Sequence, residues 1–248
     1  MFQLGLLTLG LVIWESLAPL RAQSERLRHV FLNSALFLVA RIIFFGVSLL
    51  ALERLAFYSL KSSFGAWFIV YVFVLSDLSV YWWHRLNHRI PFFWRFHQVH
   101  HADQFLDFST ALRFHFGELT LSYFVRGALF LMLGFEVQEV LLYNLVLTAA
   151  NLFHHSNIAL PEKLEIMLSK LMVTPKFHRT HHSLFLSRTD SNYSALWVGW
   201  DYLFGSYSGI IATDVVGVPY LKKTEIKSDL LLPFQPLMSW PKKFKGAP

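Results

Sequence analysis

An all-α bundle embedded in a membrane is the fold class this sequence predicts, and three observations predict it. The chain is 54% hydrophobic and only 15% charged, against roughly 25% charge in soluble domains. Its apolar residues, among them 25 Phe and 8 Trp, fall in runs too long for a soluble core. Its mean hydropathy is positive, +0.43. No Gly/Ser/Pro-rich linker, repeat or low-complexity tract divides the chain, so residues 1–248 read as one domain.

Five apolar segments carry the bundle, giving about four to five spans or hairpins. Phe2–Ala18 reads as a retained span rather than a signal peptide, because it lacks a basic start and ends in Trp14 and Glu15. Val30–Leu52 and Phe64–Trp83 comfortably meet the roughly 20 residues a span needs. Leu119–Phe135 and Val137–Phe153 are shorter. The turn "GFE" (Gly134 to Glu136) joins them into a tight helical hairpin. Arg41, Asp77, Arg126 and Glu139 lie in or near these segments and are expected to face the bundle interior or water. Basic residues at Arg21, Arg26 and Arg28, and again at Arg85, Arg89, Arg95 and Arg113, put those loops inside under the positive-inside rule. The loop Glu53–Ser63 is expected outside.

The last third differs. Glu162–Met172 predicts a short helix with one polar and one apolar face, suited to a membrane surface. "ALWVGWDYLFGSY" is too short and too Gly-broken to span, and the Pro/Lys-rich tail from Leu230 is expected to be irregular. "GSYSG" (Gly205 to Gly209) lacks the G-x-S-x-G spacing of a nucleophile elbow. The net charge of +6 suits anionic lipid headgroups; no basic, glycine-aromatic motif points to nucleic acid. With no cysteine, disulfides, thiolate sites and cysteine nucleophiles are excluded.

Eleven of the twelve histidines lie between positions 84 and 182. "HRLNH" places His84 and His88 at i, i+4. "HQVHH" (His97, His100, His101) and "HRTHH" (His178, His181, His182) share the spacing i, i+3, i+4. "FHHSN" adds His154 and His155. On a helix these spacings bring the rings together over one turn. His29 stands apart and reads as a basic-loop residue with no special role. A single such pair is more often a surface or hydrogen-bonded core feature than a metal site. Several together, uncharged and buried without partners, would leave many polar atoms unpaired, and a bound cation removes that cost. Imidazole suits Fe, Cu, Zn and Ni, and the number of ligands exceeds what one ion takes. Structural zinc usually brings thiolate. The H-E-x-x-H of zinc proteases and the E-x-x-H of carboxylate-bridged di-iron bundles are missing. A histidine-rich di-metal centre at the cytoplasmic membrane surface is the expectation.

The strings "SDLSVYWWHRLNH", "FWRFHQVHHAD", "ALRFHFGE", "FHHSNIALP", "TPKFHRTHHS", "NYS" and "WDYLFGSY" resemble those of the fatty acid hydroxylase superfamily, also called the sterol desaturase family, over residues 77–207. The resemblance implies a membrane-bound, non-haem di-iron oxygenase that uses O₂ to hydroxylate or desaturate a C–H bond of a sterol, fatty acyl chain or alkyl lipid. It implies His84, His88, His97, His100, His101, His178, His181 and His182 as metal ligands and His155 as a ninth, with His154 just outside. Arg113, His115 and Glu118 match the family's R-F-H-P-x-E, with Phe116 in place of proline; they either orient ligands or cap a helix. Asp77 lies about 10 Å from His84 by helix rise and is expected to serve a histidine on another helix. Asn192 and Asp201 are expected to anchor the C-terminal part to the boxes. Electrons are expected from a separate reductase or cytochrome, and the shortness of the chain points to a bacterial inner membrane. A zinc-dependent lipid hydrolase or isomerase and a metal transporter are the rival classes.

Overall fold

The computed structural model describes residues 2–55, 67–210, 215–221 and 225–246. These are helical, with isolated bridges and no strand among the described residues. Five long helices form the scaffold: α1 (Phe2–Leu17), α2 (Arg26–Leu55), α3 (Trp67–Arg89), then α5 (Phe116–Met132) and α6 (Val137–His155). Between α3 and α5 runs the shorter α4 (Pro91–His101) and a 3-10 turn, Phe108–Leu112. After α6 come α7 (Glu162–Leu168), α8 (Pro175–His181), α9 (Leu186–Thr189), α10 (Gly199–Leu203) and α11 (Ile226–Leu231). The expected outside loop falls largely on residues 56–66, which lie outside the described residues.

Sequence sets the joints. Pro91 restricts Ile90 to an extended conformation, φ −101° and ψ 116°, so α3 stops at Arg89 and α4 starts at once. The α5–α6 hairpin turns on Gly134, whose φ of 70° needs glycine. There the Phe135 and Gly134 N–H groups donate back to the carbonyls of Phe130 (3.0 Å) and Leu131 (3.1 Å). The Phe130 and Phe135 rings stack at 5.3 Å, completing the glycine-terminated helix end.

The centre is rich in polar groups and much of the exterior is apolar. Leu9, Ile13, Phe31, Leu38, Ile42, Val74, Phe124 and Leu141 point outward from the long helices, whereas Glu15, Asn33, Asp77, Asp103, Arg113 and the box histidines other than the half-buried His84 and His88 are buried. Within the described residues, one helix segment, Arg26–Phe45, is long and apolar enough to cross a membrane by itself; Gly5–Leu17 is apolar but shorter. Arg41 is exposed and lies 5.1 Å over the Phe37 ring, outside the bundle interior. Two expectations about the last third change. The Glu162–Met172 helix ends early, at Leu168, and buries Glu165 while exposing Ile166 and Met167. Glu165 turns inward because its carboxylate accepts the Lys176 N–H at 3.2 Å. The tail is partly ordered, with α11 and two 3-10 turns.

Glu15 ties α1 to the centre. Its carboxylate accepts the N–H groups of Phe108 (2.9 Å) and Asn157 (2.7 Å) and pairs with Arg26 at 2.6 Å. Glu15→Ala would strand two buried donors and a cation. It is expected to cost about 3 kcal/mol, read as a lowered thermal midpoint in detergent, with Glu15→Gln intermediate. Equal midpoints for Ala and wild type would contradict this role.

Candidate metal centre

Two buried sets of imidazoles lie at the heart of the molecule. The first contains His84, His88, His97, His101 and His181; the second contains His100, His155, His178 and His182. Within each set, one nitrogen from every ring lies within 4.8 Å of the others. The nine histidines of the sequence analysis are thus divided between two positions.

The division follows from helix geometry. At about 100° per residue, the outer members of H-x-x-H-H share a face and the middle one turns away. On α4, His97 and His101 enter the first set and His100 the second. On α8, His178 and its following residue His182 enter the second set and His181 the first. The two boxes are reciprocal: each gives two rings to one position and one ring to the other. Both are built alike, with proline at the first helical position and histidines in the last turn. Helices α3 and α6 also end in histidines. Four C-termini, the negative ends of four helix dipoles, therefore meet at the centre and favour a cation.

Outward hydrogen bonds aim the inward nitrogens. His84 Nδ1 donates to the Tyr193 carbonyl (2.8 Å), His181 Nδ1 to that of Ser191 (2.6 Å), His155 Nδ1 to that of Asn151 (2.8 Å) and His100 Nδ1 to that of Arg113 (3.2 Å). His97 Nδ1 donates to Glu118 Oε1 at 2.9 Å. With the proton on Nδ1, the Nε2 lone pair is free to bind metal. The residues fit metal ions. Nε2 of His84, His97 and His181 and both nitrogens of His88 and His101 are buried and make no hydrogen bond within the protein. In the second set, Nε2 of His155 lies 3.1 Å from that of His100 and 2.9 Å from that of His178, which is 3.2 Å from that of His182. His100 and His155 carry their protons on Nδ1, so their two Nε2 lone pairs face each other, and a cation between the rings would relieve that repulsion.

The same burial makes these rings hard to protonate. It pushes His155 down to about 4 and His181 down to about 3. His100, His101, His178 and His182 are driven well below their usual value by burial and then by neighbouring imidazoles.

The surrounding residues divide. Glu118 holds His97 and accepts from Asn87 Nδ2 at 3.1 Å. Asp201 accepts the Tyr193 and Ser194 N–H groups (2.8 and 2.9 Å) and so positions the carbonyl that His84 uses. Asn192, at φ 54°, follows the Ser191 carbonyl bonded to His181 and is held by Ser208 N–H and the Gly209 carbonyl. His154 packs against His178 at 4.3 Å outside both sets. His115 touches no box histidine: it caps α5, accepting the Gly117 N–H and donating to the Leu230 carbonyl, with Phe116 in the position of the family's proline.

Two expectations are corrected. Asp77 serves no histidine; it accepts from Trp200 Nε1 (2.8 Å), Trp197 N (3.3 Å) and the Tyr143 hydroxyl (3.3 Å), because the segment bearing α10 folds back over α3. His29 is not in a loop. It lies in α2, paired with Asp103 and Asp107. Sequence reasoning also missed Asp190, 3.5 Å from His88 Nδ1; its nearness to "NYS" was the available signal. A cavity of about 300 Å³ reaches His88 past Trp94, Asp190, Met238 and Trp240.

The fatty acid hydroxylase family model matches residues 69–206, the stretch that supplies all nine histidines. The chain belongs to the fatty acid hydroxylase family. Among its relatives are the alkylglycerol monooxygenases of Danio rerio, 30% identical over 58% of this chain and 31% of that protein, and of Homo sapiens, 32% over 54% and 29%. The ornithine lipid hydroxylase OlsE of Rhizobium tropici is 30% identical over 56% of this chain and 41% of its own length. The matched region thus spans well under half of each of these relatives. No solved structure matches the chain.

The depressed imidazoles predict acid sensitivity of the metal-free protein. Unfolded histidine takes its proton near 6.5, whereas the folded rings refuse it down to about 4 for His155 and about 3 for His181. Stability is therefore full above 6.5 and falls as pH drops through that window, by roughly 1.4 kcal/mol per unit per ring. Melting in detergent across this range should show the fall, and added metal should displace it to lower pH. A flat profile for the metal-free protein would contradict the burial of these rings.

Proposed function

We propose that this chain is a membrane-bound, non-haem di-iron oxygenase that hydroxylates a C–H bond of a lipid; desaturation is the alternative outcome of the same hydrogen removal. The observation that carries the reading is the pair of all-imidazole sets, into which no carboxylate of the described residues enters, together with the family. Two iron ions, when bound, would supply O₂ activation. The chain's own part is to hold them through nine nitrogens, to fix His84, His97, His100, His155 and His181 by outward hydrogen bonds, and to limit water by burial. Neutral ligands leave the ions their full positive charge.

The stoichiometry is R–H + O₂ + two electrons + two protons → R–OH + H₂O. We assign the electrons to a separate reductase or cytochrome. Relatives named for alkylglycerol and ornithine lipid make a polar-headed lipid the first substrate to try. The outward apolar side chains of the long helices support a bundle set in a bilayer. The basic loops support histidines on its cytoplasmic side, in a bacterial inner membrane.

Comparative lipid mass spectrometry of cells with and without the protein tests the chemistry. The expected result is a lipid carrying one added oxygen, or lacking two hydrogens, that disappears in His100→Ala and in His181→Ala, one variant from each set. A product that persists in either variant, or zinc as the bound metal with no O₂ uptake, would sink the assignment. For topology, tags near Gln23 and Gly246 should report the same side and a tag within Tyr58–Ser62 the other. Gln23 and Gly246 on opposite sides would break the five-span arrangement.

A further inference from the structure

Behind His100 lies a buried polar network that neither the histidine spacing nor the proposed chemistry accounts for. Arg113 grips α4 on both sides of this ring: its backbone carbonyl accepts His100 Nδ1 at 3.2 Å, and its Nε donates to the Val99 carbonyl at 2.9 Å. Val99 is in the last turn of α4, where carbonyls run out of helical partners. The rest of the guanidinium is held from two distant parts of the chain. One nitrogen donates to Asn33 Oδ1 of α2 (2.9 Å), the other to Asp229 Oδ2 of α11 (2.7 Å).

Asn33 is itself fixed. Its amide donates to Asp103 Oδ2 (3.2 Å) and Ser109 Oγ (3.0 Å). One turn earlier on α2, His29 is wedged between two carboxylates, 2.7 Å from Asp103 and 2.8 Å from Asp107. A neutral imidazole has one N–H, so two such contacts to carboxylates call for the imidazolium, which offsets one of the two negative charges. Asp103 also takes the Thr110 hydroxyl at 2.8 Å, and Asp107 caps the 3-10 turn leading to Arg113.

We infer that His29, Asn33 and Asp229 are positioning residues for the second imidazole set, acting through Arg113 on His100. The inference rests on the metal-binding reading above. It makes a specific asymmetry: the clamp touches His100 but none of the five rings of the first set. Losing it should loosen one ion and spare the other, which a general loss of stability would not do.

Cobalt(II) titration of the metal-free full chain in detergent, followed by visible absorption and by metal content, separates the cases. Wild type should take two ions. His29→Gln and Asp229→Asn should each weaken one of the two by about tenfold, the lower end of the usual cost of losing an outer hydrogen-bond partner, and leave the other unchanged. Asp229 lies at the opposite end of the clamp from His29, so it decides the matter if His29→Gln does not fold. Two unchanged affinities, or equal weakening of both, would overturn the inference while leaving metal binding intact. A wild type that takes no cobalt would overturn the metal reading and the inference with it.

Discussion

Nine imidazoles turned toward one another inside a protein are the constraint from which the rest of this structure follows. Facing lone pairs repel, and protonating rings such as His100 and His182 is opposed by burial and by neighbouring imidazoles. A cation resolves the conflict only if each ring presents the right nitrogen, so nearly every nearby feature is devoted to ring orientation. Backbone carbonyls of Asn151, Ser191, Tyr193 and Arg113 take the outward protons. Asp201 and Asn192 hold the segments that offer two of those carbonyls. The helix termini add a negative field from four directions.

The same constraint explains the inverted distribution of polarity. A bundle that encloses nine imidazoles, and the acids and arginines that steer them, shares its interior between this polar centre and several smaller apolar clusters. Many hydrophobic residues are displaced outward, where a bilayer rather than a core would cover them. Long apolar helices and a polar centre are therefore two aspects of one arrangement.

The gathering of the box histidines was legible in the sequence because i, i+3 and i+4 have a fixed meaning on a helix. The glycine turn between α5 and α6 was legible for a similar local reason. What escaped was whatever depends on backbone atoms or on distant packing. A carbonyl that accepts a histidine proton has no residue-type signature, so Ser191 and Asn151 could not be singled out. His29 looked ordinary because its partners, Asp103 and Asp107, are far along the chain. Asp77 looked like an orienting acid, yet the return of Trp197 and Trp200 over α3 gave it other partners. The number of helices that cross a bilayer stays less plain than their apolar faces, because buried polar residues dilute the average hydropathy of the very helices that bear the site.

The reciprocal division of the boxes also has a temporal meaning. Four of the five rings in the first set come from residues 84–101, and only His181 arrives from far along the chain. The second set has one ring from that region and three from residues 155–182. A chain made from its N-terminus therefore holds a nearly complete nest of ligands while most of the second is still unsynthesised. His181 and His100 are the crossing members that link the early half to the late one. The order of the chain thus sets the order in which rings become available: the first set waits only for His181, and both sets close when α8 docks.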